Sequence, residues 1–502
     1  MPARRAHLAT PRHHGELEAA LLALREKNGI PEGFPAPVLQ EAEVARPPVP
    51  TVDLREMPFV TLDPPGSKDL DQAFHLERTS GGGFVLRYAI ADLPGFVRPL
   101  GAVDGEARKR GQTIYLPDGR VPLHPPVLSE GRASLLPNED RGAYVWTIPV
   151  DGSGAAAFEG ADVSPARVER AMIRSRHQLN YETAQRGLDD GILGAEKRSV
   201  PGGEQLALLR EFGLLRIEQE RLRGGASLNM ADEEVVRDEH GYRLIRVSPL
   251  DVEGWNAQLS LLTGMAAARI MLGGGIGILR TMPLPDEAAL GEFRTATVAL
   301  GLPWEAGVSY GDFLRDLPRG DSRSAAVLHA AARLFRGAGY TVFGVVGEQG
   351  SLIAAPASPE QAAIAAPYAH VTAPLRRLVD RWGLVICEAL CNGSPVPEWI
   401  TSSLTELPAL MRASSALAGR LSADAIDRVE AALLRDLVGE KLSATVLEVS
   451  EARARLQLDE PPVTAQLDVA AGVEPPQPGE RVTVLVRAAN VASGTVQLEL
   501  RR

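Results

Sequence analysis

Three aspartates lie within nine consecutive positions of the stretch VTLDPPGSKDLDQAFHL, residues 60–76. Asp63 follows the apolar run FVTL, which predicts a short β-strand that presents this side chain at its end. Asp69 and Asp71 are two residues apart, so on an extended segment both side chains point to the same side. Gln72 follows at the position where a fourth acid would extend the cluster. The spacing predicts three converging carboxylates beside one amide.

The chemistry that suits such a cluster is divalent-metal binding. Clustered carboxylates raise each other's pKa unless a cation lies between them. Hard oxygen ligands suit Mg²⁺, with Mn²⁺ as a substitute, and two such ions about 4 Å apart activate water for phosphodiester hydrolysis. A calcium loop or a solvated turn fits the same spacing, because Asp side chains bond to turn backbone. Asp92, at the end of the run AIADL, is a further candidate acid if its strand is a neighbour.

Composition narrows the class of protein. The chain has 502 residues, which predicts two to four domains, and its 45% hydrophobic and 23% charged residues are typical of a globular protein. The net charge of -11 argues against a protein that coats nucleic acid, although a locally basic channel is compatible with it. Cys387 and Cys391, one helical turn apart, indicate core packing and a reducing cytoplasm. No apolar run is long enough for a bilayer, so we expect no membrane association.

The pattern along the chain predicts an α+β multidomain protein. Apolar spacing predicts helices over residues 14–27 and in APVLQEAEVA, which together resemble a small helix-turn-helix unit. Short β-type runs occupy residues 58 to about 150, and long helices are expected over residues 165–225. This second region includes the basic cluster of RVERAMIRSR. A hairpin signal, EEVVRDEHGYRLIRV, then precedes helices that continue to about residue 440. Five strand signals in the last sixty residues predict a small closed barrel, for which an OB-fold is the commonest fit.

The aspartate stretch belongs to an ordered series of motifs. TLDPPGSKDLDQA resembles the catalytic signature of the ribonuclease II / ribonuclease R family, in which four aspartates follow a T-[IL]-D-x5-D-x-D-D pattern. The block from YAIADLPGF to LLPNEDRGA, AMIRSRHQLNYE, LLTGMAAARIM and YAHVTAPLRRLVD resemble further family motifs in the family's order. AMIRSRHQLNYE resembles a family helix. Together these matches extend over roughly residues 58 to 395, so the chain is identified as a member of this family.

The resemblance implies a fold and an activity. The expected fold has a helical helix-turn-helix-like domain (1–55), a mixed α/β RNB catalytic domain with a central channel (56–400), a helical extension (401–439) and an OB-fold RNA-binding domain (440–502). The implied activity is processive, Mg²⁺-dependent 3′-to-5′ exoribonuclease hydrolysis of single-stranded RNA to nucleoside 5′-monophosphates, by a cytoplasmic monomer. Most relatives carry two cold-shock domains before the catalytic domain, and about 55 residues are too few for them. A wider channel entrance, open to structured RNA, is therefore a hypothesis.

The resemblance also implies residue roles. Asp63, Asp69 and Asp71 fall on three of the four family acids, with Asp71 expected to be indispensable. Tyr115, in TIYLPD, matches the aromatic residue that stacks on the 3′-terminal base, although a packed strand tyrosine is the alternative. Arg376 and Arg377 lie in the motif whose arginine holds the phosphate near the scissile bond. Arg376 is the preferred phosphate ligand, because Arg377 could instead pair with Asp380. His370, in the same motif, is expected to be structural.

Gln72 departs from the family pattern at the fourth acid. An amide oxygen still ligates Mg²⁺, but it adds no negative charge and cannot act as a general base. Three outcomes are open: Gln72 ligates a metal, Asp92 substitutes for the missing acid, or the second metal is lost. The last outcome would leave a slow enzyme or a catalytically impaired RNA-binding regulator. A DNA-processing enzyme is a further rival, prompted by the helix-turn-helix-like start. We expect activity, with Gln72 as a fourth metal ligand, because the other motif residues are present.

Overall fold

The fold is seen in a computed structural model, which describes residues 14–190, 202–226, 232–238, 241–247, 249–318, 322–334, 336–450, 453–469 and 474–501. Its first elements are the two predicted helices, α1 (His14–Lys27) and α2 (Ala36–Val44). Gly29, with φ of +64°, allows the sharp break after α1, and Pro35 precedes α2. The apolar face of α1 belongs to one apolar cluster with the long helix Leu407–Arg435 and the C-terminal strands. This helical unit is thus packed onto the rest of the protein.

The next region is built mainly of strands. Its elements are β1 (Val52–Asp53), β2 (Phe59–Asp63), β3 (Gln72–Arg78), β4 (Phe84–Ala91), α3 (Leu93–Phe96), α4 (Ala102–Arg110), β5 (Ile114–Leu116), β6 (Gly119–Val121), a π-helical turn (Val127–Arg132), β7 (Asp140–Val150), a 3₁₀ turn (Ala157–Glu159) and β8 (Arg167–Asn180). The sheet order is β1-β8-β2-β3-β4-β7, and β7 also pairs with β8. The second pairing closes five strands into a ring, whose interior is filled by apolar side chains.

The helix predicted over the start of residues 165–225 is wrong up to Asn180. Residues 167–180 form the long strand β8, which pairs with β7 on one edge and with β1 and β2 on the other. Ala171, Ile173 and Ser175 are buried in alternation, which is the period of a strand. The arginines between them pair with acids: Arg170 with Asp92, and Arg174 with Asp140. Two arginines of this basic cluster are therefore neutralised within the fold.

Helices dominate the middle of the chain. They and their short strands are α5 (Tyr181–Asp189), α6 (Gly203–Arg223), β9 (Asp232–Asp238), β10 (Gly241–Val247), α7 (Asp251–Gly274), β11 (Gly277–Thr281), α8 (Glu287–Ala299), α9 (Tyr310–Arg315), α10 (Ser322–Ala332), β12 (Gly339–Phe343), β13 (Glu360–Gln361), β14 (Ala366–Pro367), α11 (Asp380–Cys391), α12 (Glu398–Ser403), a 3₁₀ turn (Leu404–Glu406) and α13 (Leu407–Arg435). The predicted hairpin is confirmed as β9 and β10.

Helix α7 is buried along most of its length and sets the position of the segment that leads to the arginine motif. Gly264 accepts a hydrogen bond from the backbone N–H of Ala369 (3.0 Å). A Cβ atom at Gly264 would lie 2.1 Å from the ring of Tyr368, so only glycine permits this approach. Residues 368–377 are thereby held against the core.

The C-terminal region contains the five predicted strands. They are β15 (Lys441–Ser450), β16 (Arg453–Leu458), β17 (Thr464–Asp468), β18 (Arg481–Asn490) and β19 (Thr495–Arg501). All pair antiparallel in the order β17-β16-β15-β18-β19, and β17 contacts β19. Register shifts at Val446/Glu448 and Val486/Ala488 bend the two long strands. The α+β fold class with a small C-terminal barrel is confirmed.

None of the helices within the described ranges combines the length and the apolar content that crossing a bilayer requires.

A buried ion pair joins α4 to α11, the elements that flank the tyrosine and arginine motifs. Arg381 donates from Nη1 to Asp104 Oδ1 (2.5 Å) and from Nη2 to the Val97 carbonyl (2.9 Å). Its guanidinium also lies 4.5 Å from the ring centre of Trp399. Both charged side chains are almost fully buried, and Arg381 is the main partner of Asp104, whose Oδ2 also lies 3.2 Å from Arg108 Nε.

Replacing Arg381 with Met should destabilise the protein by about 3 kcal/mol, because Asp104 would keep a buried charge without its main partner. The double variant Asp104→Asn/Arg381→Met should recover part of this loss, since the orphaned charge is gone. Urea unfolding of the three proteins checks this. Strictly additive losses in the double variant would contradict it.

Candidate active site

The loop that carries the aspartates, residues 64–71, is held by hydrogen bonds from neighbouring elements. Gln178 of β8 donates to the backbone carbonyl of Ser67 (2.7 Å). The Ser134 hydroxyl accepts from the Leu70 N–H (2.9 Å) and donates to the carbonyl of the residue at position 68 (2.6 Å). The next backbone N–H, at position 135, donates to the Leu70 carbonyl (3.0 Å). Because the backbone is held at three points, the aspartate side chains have defined directions.

Asp71 is the most enclosed of the three acids, with 3% of its surface exposed. Its Oδ1 accepts a hydrogen bond from the Leu375 N–H (2.8 Å), and its Oδ2 lies 3.4 Å from Arg376 Nε. Burial raises the pKa of Asp71 to about 8, although Arg376 and the Leu375 amide favour the ionised form. The carboxyl group therefore binds a proton readily unless a further cation approaches.

Asp63 ends β2, where its backbone is paired with Asn180 of β8. Its Oδ2 is buried without a hydrogen-bond partner among the described residues. Burial raises the pKa of Asp63 to about 7; Arg376 opposes this shift and the charge of Asp69 adds to it. A buried carboxylate oxygen with no partner is costly, so this atom favours a proton or a cation.

Asp69 is paired with an arginine that sequence reasoning missed. Arg120 Nη1 lies 2.5 Å from Asp69 Oδ1, and its Nη2 lies 2.7 Å from Glu130 Oε1. The missed signal was the turn PDG between the runs IYL and RV, which indicates a hairpin that places residue 120 opposite residue 115. Arg120 thus joins the acid loop to this hairpin.

Tyr115 lies on β5, directly opposite Arg120 of β6. Its side chain is 52% exposed, so the strand tyrosine is not enclosed in the core. Partial burial raises the pKa of Tyr115, as do the charges of Asp69 and Asp71. The residue paired with it, Arg120, contacts Asp69 directly. The segment is fixed by the backbone, because the Thr113 N–H donates to the Arg376 carbonyl (3.0 Å).

The two arginines of the motif have different environments. Arg377 makes two hydrogen bonds to Asp380, from Nε to Oδ2 (2.8 Å) and from Nη2 to Oδ1 (2.7 Å). This is the alternative that the sequence left open for it. Arg376 has 49% of its side chain exposed and lies beside Asp71. Arg376 is therefore the arginine that is free to contact a ligand near the acids.

Gln72 is engaged through both ends of its amide. Nε2 donates to the Thr372 carbonyl (2.7 Å), while Oε1 accepts from the hydroxyl groups of Tyr88 and Ser260 (the latter at 3.2 Å). The carbonyl oxygen is the atom that the sequence-based prediction assigned to a metal. In the metal-free protein it accepts from two hydroxyl groups, and its assignment to a metal stays a prediction. These contacts favour a role in positioning the arginine motif.

Two further candidates have structural partners. Asp92 caps α3 by accepting from the Gly95 N–H (3.0 Å) and pairs with Arg170, so its carboxylate is already neutralised. The hypothesis that Asp92 replaces the fourth acid is therefore not supported by its contacts. His370 is hydrogen-bonded through Nδ1 to the Tyr340 hydroxyl (2.7 Å), and burial keeps its pKa well below the ordinary value. This environment agrees with a structural histidine.

The donor set can be compared with what Mg²⁺ requires. In the described part of the chain, no three or more His, Cys, Asp or Glu side chains already converge on one point as a closed metal site. Asp69 and Asp71 face arginines, and only the buried Asp63 Oδ2 has no partner. Three hard carboxylate donors, one with an unsatisfied buried oxygen, nevertheless fit the chemistry of this cation. The carboxylate oxygens are the kind of ligand that Mg²⁺ prefers, and two of the three acids are paired with arginines in the absence of metal.

Comparison with known proteins defines the class. Residues 51–387 match the RNB domain, and residues 440–501 match the RNase II-type exonuclease C-terminal S1 domain. Because the first match covers more than half of the chain, the chain belongs to the RNB-domain family, and the resemblance to ribonuclease II and ribonuclease R is confirmed.

The relatives are remote and longer. The chain is 28% identical over 345 residues to probable exosome complex exonuclease RRP44 of Caenorhabditis elegans, covering 67% of this chain and 34% of the relative. It is 28% identical over 278 residues to ribonuclease R of Escherichia coli strain K12, covering 55% and 33% respectively. The chain thus spans about a third of the length of these curated relatives.

Solved structures share the fold. Mycoplasma genitalium RNase R in complex with ribose methylated single-stranded RNA superposes with a TM-score of 0.84 at 19% identity, over 97% of this chain and 78% of that chain. Yeast Ssd1, described as a pseudonuclease, superposes with a TM-score of 0.68 at 16% identity, over 90% and 55%. The same architecture therefore occurs in a protein described as having no nuclease activity.

Relative to Asp63→Asn/Asp71→Asn, the metal-free wild type should lose stability as the pH rises from about 5 to about 8.5; the comparison is needed because buried histidines with lowered pKa values, such as His370, act in the opposite direction in both proteins. Asp63 and Asp71 have folded pKa values of about 7 and about 8, above the unfolded value, so the folded state binds more protons in this window. Urea unfolding in EDTA at both pH values measures the loss. Asp63→Asn/Asp71→Asn is the control, because it keeps every other titrating group. An equal pH dependence in wild type and control would contradict the assignment.

Replacing Gln72 with Asp should destabilise the protein by about 1–3 kcal/mol, because the shorter carboxylate cannot donate to the Thr372 carbonyl and leaves the Tyr88 and Ser260 hydroxyls with only each other as partners (2.9 Å). Gln72→Glu separates length from charge, since it keeps the reach but loses the donor. We expect neither variant to lower the Mg²⁺ concentration needed for activity. A stable Gln72→Asp protein with a lower Mg²⁺ requirement would instead show that position 72 faces the metal.

Proposed function

We propose that this chain is a hydrolytic 3′-to-5′ exoribonuclease that degrades single-stranded RNA processively to nucleoside 5′-monophosphates with Mg²⁺ or Mn²⁺. Membership of the RNB-domain family supports a nuclease, and the substrate, the direction and the metal belong to the proposal. The low cysteine count fits a cytoplasmic protein, and we propose that it acts as a monomer.

One observation carries the proposal. Asp71 lies 3.4 Å from Arg376, and Asp69 lies 2.5 Å from Arg120, the residue paired with Tyr115 across the β5–β6 hairpin. Asp63, at the end of β2, is subject to the charges of both Arg376 and Asp69, although these residues come from three separate parts of the chain. Acids for a cation, a guanidinium for a phosphate and an aromatic ring for a base are the three groups that a nuclease cutting at a strand end needs. Their meeting in one place is hard to explain by stability alone, because the buried acids are costly.

The three aspartates would hold the divalent cation. When bound, the cation neutralises phosphate charge and lowers the pKa of a coordinated water. Asp63 and Asp71 are poised for it, because burial makes their ionised forms depend on a nearby cation. Asp71 keeps its orientation throughout, since the Leu375 N–H holds Oδ1.

Arg376 and Tyr115 would bind the RNA end. The guanidinium of Arg376 is half exposed beside Asp71, and its planar fork suits two phosphate oxygens. The half-exposed ring of Tyr115 offers a stacking surface for a terminal base, worth about 1–3 kcal/mol. Their backbones are linked by the Thr113–Arg376 hydrogen bond, which keeps the phosphate and base contacts in register.

Purified protein with Mg²⁺ should release labelled mononucleotides from a single-stranded RNA that carries its label at the 3′ end. Asp71→Asn should lower the rate by at least about a hundredfold, because it removes a charged ligand of the cation that would neutralise the phosphate and activate the water. Tyr115→Ala should mainly weaken RNA binding. A gel that resolves mononucleotides from oligonucleotides gives the readout. Absence of mononucleotides with either Mg²⁺ or Mn²⁺ would refute the proposed activity.

A hairpin with a short 3′ overhang extends the same assay to structured RNA, which the hypothesis of a wide entrance predicts to be degraded. Stalling many nucleotides before the stem would contradict that hypothesis.

A catalytically impaired RNA-binding regulator is the second candidate. It is favoured by the hydrogen-bonded Gln72 amide at the fourth acid position, and by the existence of a pseudonuclease with this fold. Tight RNA binding by wild type, without mononucleotide release and with no further loss of turnover in Asp71→Asn, would identify it. Competition with a DNA oligonucleotide of matched sequence excludes or supports the DNA-processing rival.

A further inference from the structure

Arg120 occupies a position in the site that the proposed reaction does not explain. It lies on β6 opposite Tyr115, with 29% of its side chain exposed. One arm of its guanidinium contacts Asp69 Oδ1 (2.5 Å) and another contacts Glu130 Oε1 (2.7 Å). The arginine therefore bridges the acid loop and the π-helical turn that contains Glu130.

In the metal-free protein, the negative charges of the acids explain why Asp69 needs a positively charged partner. Asp71 is balanced by Arg376 at 3.4 Å, and Asp69 by Arg120 at 2.5 Å. If Asp69 lacked its partner, its charge would add to that of the two buried acids, and such repulsion weakens the folded state. Arg120 thus neutralises Asp69, as Arg376 neutralises Asp71.

The same contact competes with metal binding. Arg120 contacts Oδ1 of Asp69, and a divalent cation bound to the same carboxylate would repel a guanidinium held within a few ångströms. Glu130 offers Arg120 a second partner, so release of Asp69 does not leave the arginine unpaired. Two arrangements are therefore available to Arg120: paired with both Asp69 and Glu130, or paired with Glu130 alone.

We propose that Arg120 is an exchangeable counter-ion of Asp69: it holds this carboxylate in the metal-free protein and yields it to the divalent cation while remaining bound to Glu130. The inference rests on the proposed function, because it assumes that the three acids bind a metal. Since Arg120 and Tyr115 are paired residues of one hairpin, the exchange also links metal binding to the surface on which the RNA end would stack.

The test is a titration of Mn²⁺ binding without RNA, followed by the electron paramagnetic resonance signal of free Mn²⁺. Arg120→Ala should bind Mn²⁺ about fivefold more tightly than wild type, because the competing ion pair is gone. Glu130→Gln should bind it about twofold more weakly, because Arg120 then has only Asp69 as a charged partner. Loss of a nearby charge alone would give the same two signs, so Arg120→Lys, which keeps the charge but not the two-armed ion pair, is measured beside them and is the variant specific to an exchange.

Arg174→Ala is the matched control, since it removes a surface arginine that pairs with Asp140. It should leave Mn²⁺ affinity unchanged. Thermal unfolding of each variant identifies any that fail to fold. Arg120→Lys also replaces Arg120→Ala if that variant is among them, and it should bind Mn²⁺ more tightly than wild type by a smaller factor.

Weaker or unchanged Mn²⁺ binding in folded Arg120→Ala or Arg120→Lys would overturn the exchange and leave the proposed nuclease activity standing. Absence of Mn²⁺ binding in wild type and all variants would overturn both the exchange and the metal-dependent part of the proposed function. The RNA cleavage assay separates these cases, because it is independent of the Mn²⁺ titration.

Discussion

The contact between the Asp71 carboxylate, the Leu375 amide and the Arg376 guanidinium is the interaction on which the site depends. It joins residues 304 positions apart, so it exists only when the strand ring, α7 and the arginine segment are all in place. Gly264 permits the close approach of that segment to α7, and Thr113 ties it to the tyrosine hairpin. The cost of burying Asp71 is offset by these partners only in part, which is why its pKa is raised to about 8. The ionised form of Asp71 is therefore only partly stabilised, and a further positive charge near it would stabilise it.

Gln72 lowers the negative charge of the site and adds hydrogen bonds to it. A carboxylate at this position would add a negative charge and accept hydrogen bonds only, whereas the amide donates to the Thr372 carbonyl and accepts from Tyr88 and Ser260. In place of a fourth acid, the chain therefore has a hydrogen-bonded link between β3 and the arginine segment. Three acids remain for divalent cations, and arginines balance two of them in the metal-free protein. Compared with a site that has four acids, this site has a smaller negative charge, and its arginine segment is held by additional hydrogen bonds.

Much of the fold could be predicted, and the errors have physical causes. The C-terminal strands alternate apolar and polar residues, so their period was clear, whereas the arginines of β8 are spaced as on a helix and their acidic partners lie in distant segments. Sequence motifs grouped Asp63, Asp69, Asp71, Tyr115 and Arg376, which the fold brings together. Arg120 and the partners of Gln72 were missed, because pairings across long sequence separations leave no local pattern. The domain boundaries remain predictions.

The most direct measurement is anomalous diffraction from a crystal soaked in Mn²⁺. The account predicts a peak within coordination distance of the Asp63, Asp69 and Asp71 carboxylates, with the Arg120 guanidinium withdrawn toward Glu130 and the Gln72 amide still bonded to Thr372. Absence of a peak beside these oxygens, in a crystal that binds Mn²⁺ elsewhere, would contradict the central claim that the three acids form a cation site.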